Sequence, residues 1–176
     1  LMLDGSLEKI LKKIEFSIHE SIRSETIRSL QMFADRKGNR SFFKEFCTQV
    51  AELSIRLLLT TLVEEIFREQ EEECIPRLCT LREDLDKFTE ELKYYMTSYR
   101  NRPRELHTYQ VGITTIGSYR NLVRRLISMR VTSGDHWEWD SSLRYYIRDD
   151  RIFAKMLDAE REYGYEFCTQ GSRLVH

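Results

Sequence analysis

The sequence predicts a mainly α-helical protein, an elongated bundle of about four long helices followed by a small antiparallel β element at the C-terminus. The chain has only 7 glycines and 2 prolines among 176 residues, so few positions interrupt regular structure. Apolar residues recur every three or four positions through most of the chain, which is the period of a helix with one buried face. After Gly134 apolar and polar residues alternate instead, which is the period of a strand.

The first predicted helix covers residues 7–33, and Ser6 is a suitable N-cap for it. Gly38 lies in a polar break that separates this helix from the next. The second helix begins at Ser41 and continues to about residue 72, before Pro76 interrupts it. The apolar stripe of the first helix consists of Leu7, Ile10, Leu11, Ile14, Ile18, Ile22, Leu30 and Phe33. That of the second consists of Phe43, Phe46, Val50, Leu53, Leu57, Leu58, Thr61 and Leu62.

A third helix is predicted over residues 76–99 and a fourth over residues 105–129, with a break at residues 101–103 between them. Gly112 and Gly117 lie inside the fourth segment and lower its intrinsic preference for helix. Long helices joined by short breaks are typical of antiparallel bundles. The sequence therefore places a helical region over residues 1–134.

Residues 135–176 are predicted to form the β element. Two short alternating runs, residues 143–148 and 152–157, contain the aromatic and β-branched residues that strands favour. The charged segment between them, residues 148–151, is a predicted turn.

The composition disfavours several classes of protein. A net charge of −1 does not suit a general nucleic-acid binder, and no apolar run is long enough to span a membrane. Arginines are frequent over residues 100–130, and RNA or DNA contact there is the weaker alternative to pairing with the acidic run at residues 64–73. We therefore predict no nucleic-acid partner and no membrane partner.

The sequence contains no recognisable catalytic or metal site. It has no glycine-rich phosphate-binding loop, so we do not expect this chain to hydrolyse a nucleotide by itself. Cys74 and Cys79 lack the second pair of ligands that a zinc site requires, and the four cysteines are predicted to be reduced thiols. No catalytic residue and no metal ligand is assigned.

An ordered set of rare residues marks the C-terminal region. It resembles the end of the linker domain of dynein heavy chains, where an aromatic-x-Trp segment, a Leu-Arg-Tyr-Tyr segment and a Tyr-Gly-Tyr-Glu segment lead into the first AAA+ module. The helix at residues 113–121 is similar to another motif of that family. The matching segments here are Trp137-Glu138-Trp139, Leu143-Arg144-Tyr145-Tyr146, Tyr163-Gly164-Tyr165-Glu166-Phe167 and Arg173-Leu174-Val175.

The match includes departures from the family pattern. Ile147 stands where the family usually has Trp, Ser118 where it has His, and Asn121 where it has Asp. Residues 168–171 replace the usual Leu-Gly-Asn. These differences indicate a divergent heavy chain and leave its subtype open.

The resemblance implies a mechanical role. In the family the linker lies across the AAA+ ring and swings between bent and straight states as nucleotide turns over. The β element would join this lever to the first module, and the phosphate-binding loop would lie beyond His176. The residues implied in anchoring linker to ring are Trp137, Trp139, Leu143, Arg144, Tyr145, Tyr146, Tyr163, Tyr165 and Glu166; those implied at the start of the adenine pocket are Arg173, Leu174 and Val175.

The resemblance also implies partners and cofactors for a parent chain. ATP and Mg would bind in its AAA+ modules, and the partners of this segment would be its own AAA+ ring. The parent would bind microtubules and dynein intermediate and light chains, in the cytoplasm and cytoskeleton or in a ciliary axoneme.

Two other interpretations remain open. One is a helical scaffold or adaptor module with a small β cap, which would act only through protein–protein contacts. The other is a small enzyme whose site carries no recognisable motif. The ordered C-terminal motifs favour the linker, because an adaptor has no need for them.

Overall fold

The computed structural model describes residues 4–36 and 40–163. In this part of the chain six helices precede one three-stranded antiparallel sheet, and four of the helices are long, as the sequence predicts. The short helices α2 and α6 were not predicted. The elements are α1 (Asp4–Arg36), α2 (Arg40–Glu45), α3 (Thr48–Phe67), α4 (Glu71–Ser98), α5 (Pro103–Ser128), α6 (Trp137–Asp140), β1 (Arg144–Arg148), β2 (Arg151–Met156) and β3 (Ala159–Glu162).

Helix α3 is the central element. Helices α1, α4 and α5 and strand β1 all contact it, so that it is buried on several sides. Its buried residues are distributed over several faces of the helix rather than along one stripe. Thr60 is buried, whereas Thr61 is exposed. The predicted stripe named Thr61 and is wrong at this position, because a helix covered on several sides has no single apolar phase.

The predicted second helix is divided in two. The chain leaves helical geometry after Glu45, Cys47 is extended with φ −70° and ψ 158°, and α3 ends at Phe67. Neither a glycine nor a proline lies at the break after α2. Instead, Phe42, Phe43 and Phe46 are all buried in the core. Two of these phenylalanines belong to α2 and the third follows it, so the chain turns where all three are buried, without a glycine or proline to mark the turn.

Pro76 does not separate two helices as predicted. Helix α4 begins at Glu71, five residues earlier, so Pro76 lies inside it. Glu71, Glu72 and Glu73 form its first turn, where negative charge is favourable to the helix dipole. Proline this close to the N-terminus removes one backbone hydrogen bond but leaves the rest of the helix intact.

Helix α5 continues through both of its glycines. At Gly112 a Cβ atom would lie 2.9 Å from Cε1 of Phe43 and 3.5 Å from Cδ1 of Leu92. Gly112 is therefore required by the close approach of α5 to α2 and α4. At Gly117 no atom beyond its own turn of the helix lies within 4 Å of the corresponding position.

The hairpin between β1 and β2 confirms the turn that the sequence predicts at residues 148–151. Asp149 and Asp150 connect β1 to β2 with φ values of 48° and 58°, which are the dihedrals of a two-residue hairpin turn. Tyr145 pairs with Ala154 across the two strands. Tyr145 and Ile152 are buried together with Leu53 and Leu57 of α3, so one face of the sheet rests on the central helix.

The arginine-rich region does not pair with the acidic run as predicted. Arg120 of α5 lies 3.0 Å from Asp86 of α4, and Arg125 forms an ion pair with Glu138 of α6. Both acids lie outside residues 64–73. The interhelical geometry, which the charge pattern alone does not reveal, selects these partners.

Gly112→Ala should destabilise the chain by about 1 to 3 kcal/mol, because the added methyl group overpacks the contact with the buried Phe43 ring. Gly117→Ala is the matched control, and it should stabilise the chain by about 0.5 to 1 kcal/mol through better helix propensity. Urea unfolding of the 176-residue chain measures both changes. Equal effects of the two substitutions would contradict the close approach at Gly112.

Candidate functional site

The joint between the sheet and the helices contains most of the residues that the sequence singled out. We use "the joint" for α6, β1 and the part of α3 that they contact. At its centre the hydroxyl of Thr60 accepts a hydrogen bond from the backbone N–H of Tyr145 at 3.2 Å and donates to the carbonyl of Arg56 at 2.9 Å. The hydroxyl of Tyr119 lies 3.0 Å from the same oxygen. One buried threonine thus connects α3, α5 and β1.

Arg144 is buried at the start of β1, with 4% of its side chain exposed. Its Nη2 donates to the backbone carbonyl of Asp140 at 3.0 Å and to the carboxylate of the same residue. The guanidinium also lies over the ring of Trp139, 5.8 Å from its centroid. A buried charge requires such a partner. The partner of Arg144 thus belongs to α6 rather than to a neighbouring strand.

Trp139 belongs to the main hydrophobic core and is fully buried. Its ring meets the ring of Phe67 edge to face, with centroids 5.9 Å apart. The short helix α6 is positioned by His136, whose Nδ1 accepts a hydrogen bond from the N–H of Glu138 at 3.1 Å. Trp139 therefore fastens the segment before the sheet to the C-terminal end of α3.

Tyr146 makes a second polar connection to α3. Its hydroxyl donates a hydrogen bond to the carboxylate of Glu64, and the side chain is half-buried. Burial, followed by this hydrogen bond to a carboxylate, raises the pKa of Tyr146 far above its ordinary value. Burial likewise raises the pKa of Tyr119. Both phenols are held in the neutral form over the physiological range.

Tyr145 and Tyr163 form the aromatic contact on the other side of the joint. Their ring centroids lie 6.0 Å apart in an edge-to-face arrangement. The guanidinium of Arg56 lies 5.6 Å from the centroid of the Tyr145 ring. The hydroxyl of Tyr163 is 3.4 Å from Nε2 of Gln49. Both tyrosines therefore contact α3, Tyr145 through Arg56 and Tyr163 through Gln49.

Other predicted site residues lie on the outside of the joint. Trp137 is 65% exposed and Leu143 is 44% exposed, in contrast to the buried residues beside them. Ile147 and Met156 are further large apolar residues that are exposed on the sheet. The remaining predicted site residues, which are Tyr165, Glu166, Arg173, Leu174 and Val175, lie outside the described residues.

A polar cavity of about 540 Å³ opens beside the joint, and its walls carry charges of both signs. Asp140, Arg144 and Tyr146 line it, and all three are engaged in the contacts given above. Within residues 4–36 and 40–163, no group of three His, Cys, Asp or Glu side chains could hold a metal ion. No helix in the same ranges has the length and apolar character that a membrane span requires.

Sequence analysis missed several residues of the joint, among them Thr60, Glu64 and Asp140. Thr60 could have been identified, because it is a hydroxyl residue within a nearly continuous apolar run. When such a residue is buried, its hydroxyl is usually hydrogen-bonded. Glu64 entered the sequence analysis only as the first residue of the acidic run at residues 64–73. Asp140 lies only four residues before Arg144, but Asp140 ends α6 and Arg144 begins β1, so helical spacing does not predict their pairing.

Comparison with known proteins relates the chain to dynein heavy chains. It is 24% identical over 177 residues to dynein axonemal heavy chain 12 of Mus musculus, and the match covers 97% of the chain. It is 24% identical over 173 residues, again 97% of the chain, to dynein axonemal heavy chain 3 of Mus musculus. A shorter match, 37% identical over 73 residues and 41% of the chain, relates it to cytoplasmic dynein 2 heavy chain 1 of Tripneustes gratilla.

The matched proteins are much longer than this chain, which spans 5%, 4% and 2% of their respective lengths. No protein-family model matches the chain. The similarity covers both the helices and the sheet, since the two longer matches extend over nearly all of the sequence. The predicted recognition of a dynein heavy chain fragment is thereby confirmed; its place in the linker stays a prediction.

Thr60→Val should destabilise the chain by about 1 to 3 kcal/mol, because the N–H of Tyr145 loses its buried acceptor. Thr61→Val is the matched control: its hydroxyl donates to the carbonyl of Leu57 at 3.0 Å, as Thr60 does to Arg56, but Thr61 is exposed. The control should change the free energy of unfolding by less than about 0.5 kcal/mol. Equal effects in urea unfolding would refute the bridging role of Thr60.

Tyr146→Phe should flatten the alkaline pH dependence of stability. The phenol of an unfolded chain has a pKa of about 10, so a raised pKa in the folded state stabilises the protein below that pH and the stabilisation is lost above it. The variant should be less stable at pH 8, with a gap that narrows as the pH rises toward 12. Urea midpoints measured along this range test the expectation. Tyr94→Phe, at an exposed tyrosine, should follow the wild-type curve; a constant gap for Tyr146→Phe would contradict the assignment.

Proposed function

We propose that this chain is a segment of the mechanical linker of a dynein heavy chain, the lever that couples ATP turnover in an AAA+ ring to movement along microtubules. The similarity to dynein heavy chains along 97% of the sequence supports the dynein part of the proposal. The linker part is supported by the motif resemblance at residues 137–139 and 143–146, which lie in the joint. The segment itself is proposed to be non-catalytic.

The attachment of the sheet to the long helices is the observation that carries the lever role. A lever transmits force only if its two parts are joined without a flexible connection. Here β1 is held to α3 by the hydrogen bond of Tyr145 to Thr60 and by that of Tyr146 to Glu64. Trp139 adds a fully buried aromatic contact at the end of α3. Removing the sheet from the helices would expose all three contacts, so force on the sheet would reach the helices.

The exposed side of the joint supplies a surface for the ring. Trp137 and Leu143 project apolar area into solvent, together with Ile147 and Met156 of the sheet. Exposed tryptophan is a residue type that often dominates an interface. We therefore divide the anchoring residues: Trp139, Arg144, Tyr145, Tyr146 and Tyr163 hold the sheet to the helices, whereas Trp137 and Leu143 contact the first AAA+ module.

The proposal extends to the parent chain through the same resemblance. Tyr165 and Glu166 would continue the anchoring surface, and Arg173, Leu174 and Val175 would begin the adenine pocket. ATP and Mg would bind in the AAA+ modules, and the parent would associate with microtubules and with dynein intermediate and light chains. Its location would be the cytoplasm and cytoskeleton, including the ciliary axoneme.

Trp137→Ala in the full-length parent motor should weaken docking of the joint on the ring by about 2 kcal/mol, which is more than tenfold in the docking equilibrium. Because Trp137 is exposed, the fold should be unaffected. Microtubule gliding should slow severely while ATP turnover continues. Tyr94→Ala, at an exposed aromatic residue of α4, is the control and should leave gliding unchanged. Normal gliding with Trp137→Ala, or loss of ATP turnover together with gliding, would contradict the proposed coupling.

A further inference from the structure

The turn between α4 and α5 presents three arginines to solvent, and we call residues 99–104 the arginine turn. Arg100, Arg102 and Arg104 are all exposed. None of them forms an ion pair with another residue in the described part of the chain. All three guanidinium groups are therefore available to bind an anionic group from outside the chain.

The surroundings supply almost no negative charge to the arginine turn. Glu105 is the single acidic residue in the sequence between Glu91 and Asp135. Its Oε2 accepts a hydrogen bond from the backbone N–H of Arg102 at 3.2 Å, so that this carboxylate is engaged with the backbone. The arginine turn is thus locally cationic, although the whole chain has a net charge of −1.

Two of the three arginines occupy positions that their helix disfavours. Helix α5 begins at Pro103, so Arg102 is its N-cap and Arg104 lies in its first turn. The N-terminus of a helix carries a partial positive charge, which makes cations there unfavourable and anions favourable. Arg100 follows the end of α4, where the same rule favours a cation. Helix stability therefore accounts for Arg100 but not for the other two, whereas a bound anion accounts for all three.

The arginine turn is held in place before any partner binds. The side-chain amide of Asn101 donates hydrogen bonds to the carbonyls of Tyr95 and Met96 at 2.9 Å and 3.1 Å, and to that of Tyr99 at 3.1 Å. The ring of Tyr99 is 41% exposed and lies against the ring of Tyr95, with centroids 6.2 Å apart. A surface that is already ordered loses little conformational entropy on binding. Arginine and tyrosine are also the residue types that often dominate an interface.

We infer that the arginine turn is a docking surface for a short acidic segment of a partner protein. A carboxylate matches a guanidinium because it accepts two parallel hydrogen bonds from it. An apolar side chain next to the carboxylates would cover the exposed ring of Tyr99. The inference is independent of the proposed lever role.

The charges beside the arginine turn limit the length of the partner segment. Glu90 and Glu91 of α4 are exposed about two and a half turns before it. They would repel a polyanion that continued along α4. A nucleic acid presents a long, uninterrupted row of phosphates, so these carboxylates favour a short acidic peptide instead.

Fluorescence anisotropy of a labelled oligoglutamate peptide with one central leucine, titrated with the 176-residue chain, tests the docking surface. Binding should saturate, and it should weaken as the salt concentration rises. Arg104→Glu should weaken binding at least tenfold. The same variant should raise the urea midpoint of unfolding, because a carboxylate in the first turn of α5 is favourable to the helix dipole. A purely structural role of Arg104 would not move affinity and stability in opposite directions.

Arg124→Glu is the matched control. Arg124 is also exposed, and it lies on α5 about 30 Å from Arg104, at a rise of about 1.5 Å per residue. Its substitution changes the net charge by the same amount, and peptide affinity should stay within about twofold of wild type. An equal loss with both variants overturns the inference, because binding would then depend on net charge alone.

Three further outcomes overturn the inference. The first is a lack of saturable peptide binding at chain concentrations of about 0.1 mM. The second is binding of an oligothymidylate as tightly as the peptide, with the same loss in Arg104→Glu, because the surface would then recognise a nucleic acid. The third is a dimer in sedimentation equilibrium that Arg104→Glu dissociates, because the occupant would then be a second copy of the chain.

Discussion

The buried hydroxyl of Thr60 is the contact on which the arrangement of the sheet and helices depends. It satisfies the N–H of Tyr145 and lies within hydrogen-bond distance of Tyr119, so that β1, α3 and α5 meet at one oxygen. A buried polar group without a partner costs more than a hydrogen bond contributes, which makes this register of the sheet on α3 hard to shift. The surrounding apolar residues supply most of the favourable free energy of folding, but their contacts have no direction and would allow the sheet to slide along α3. The hydrogen bond between Thr60 and Tyr145 would be lost if the sheet slid.

The same constraint explains why charged residues occur in the joint. Arg144 is almost fully buried, and its guanidinium is engaged by Asp140 and by the ring of Trp139. The carboxylate of Glu64 accepts a hydrogen bond from the hydroxyl of Tyr146. Because each of these contacts is directional, the sheet is held in one orientation relative to the helices.

The apolar side chains of the helical region are closely packed in one part and accessible to solvent in another. Around α3 and α5, close packing leaves no room even for a methyl group at Gly112. Along the first half of α1 and between α3 and α4, large apolar side chains remain accessible. The packed region accounts for the stability of the fold.

The sequence by itself determined the features that depend on neighbouring residues. Helical periodicity predicted four long helices, and the charged turn at residues 148–151 correctly marked the β1–β2 hairpin, because both depend on local backbone preferences. The ordered aromatic motifs led to the family. Only the tertiary structure decided where α3 begins and ends, that Thr60 faces the sheet rather than Thr61, and that Arg144 is buried against Asp140. The first two outcomes depend on contacts between residues far apart in the chain. Asp140 and Arg144 are only four residues apart, but they belong to different elements, and their burial depends on how α6 and β1 pack against the long helices, so no local pattern encodes it.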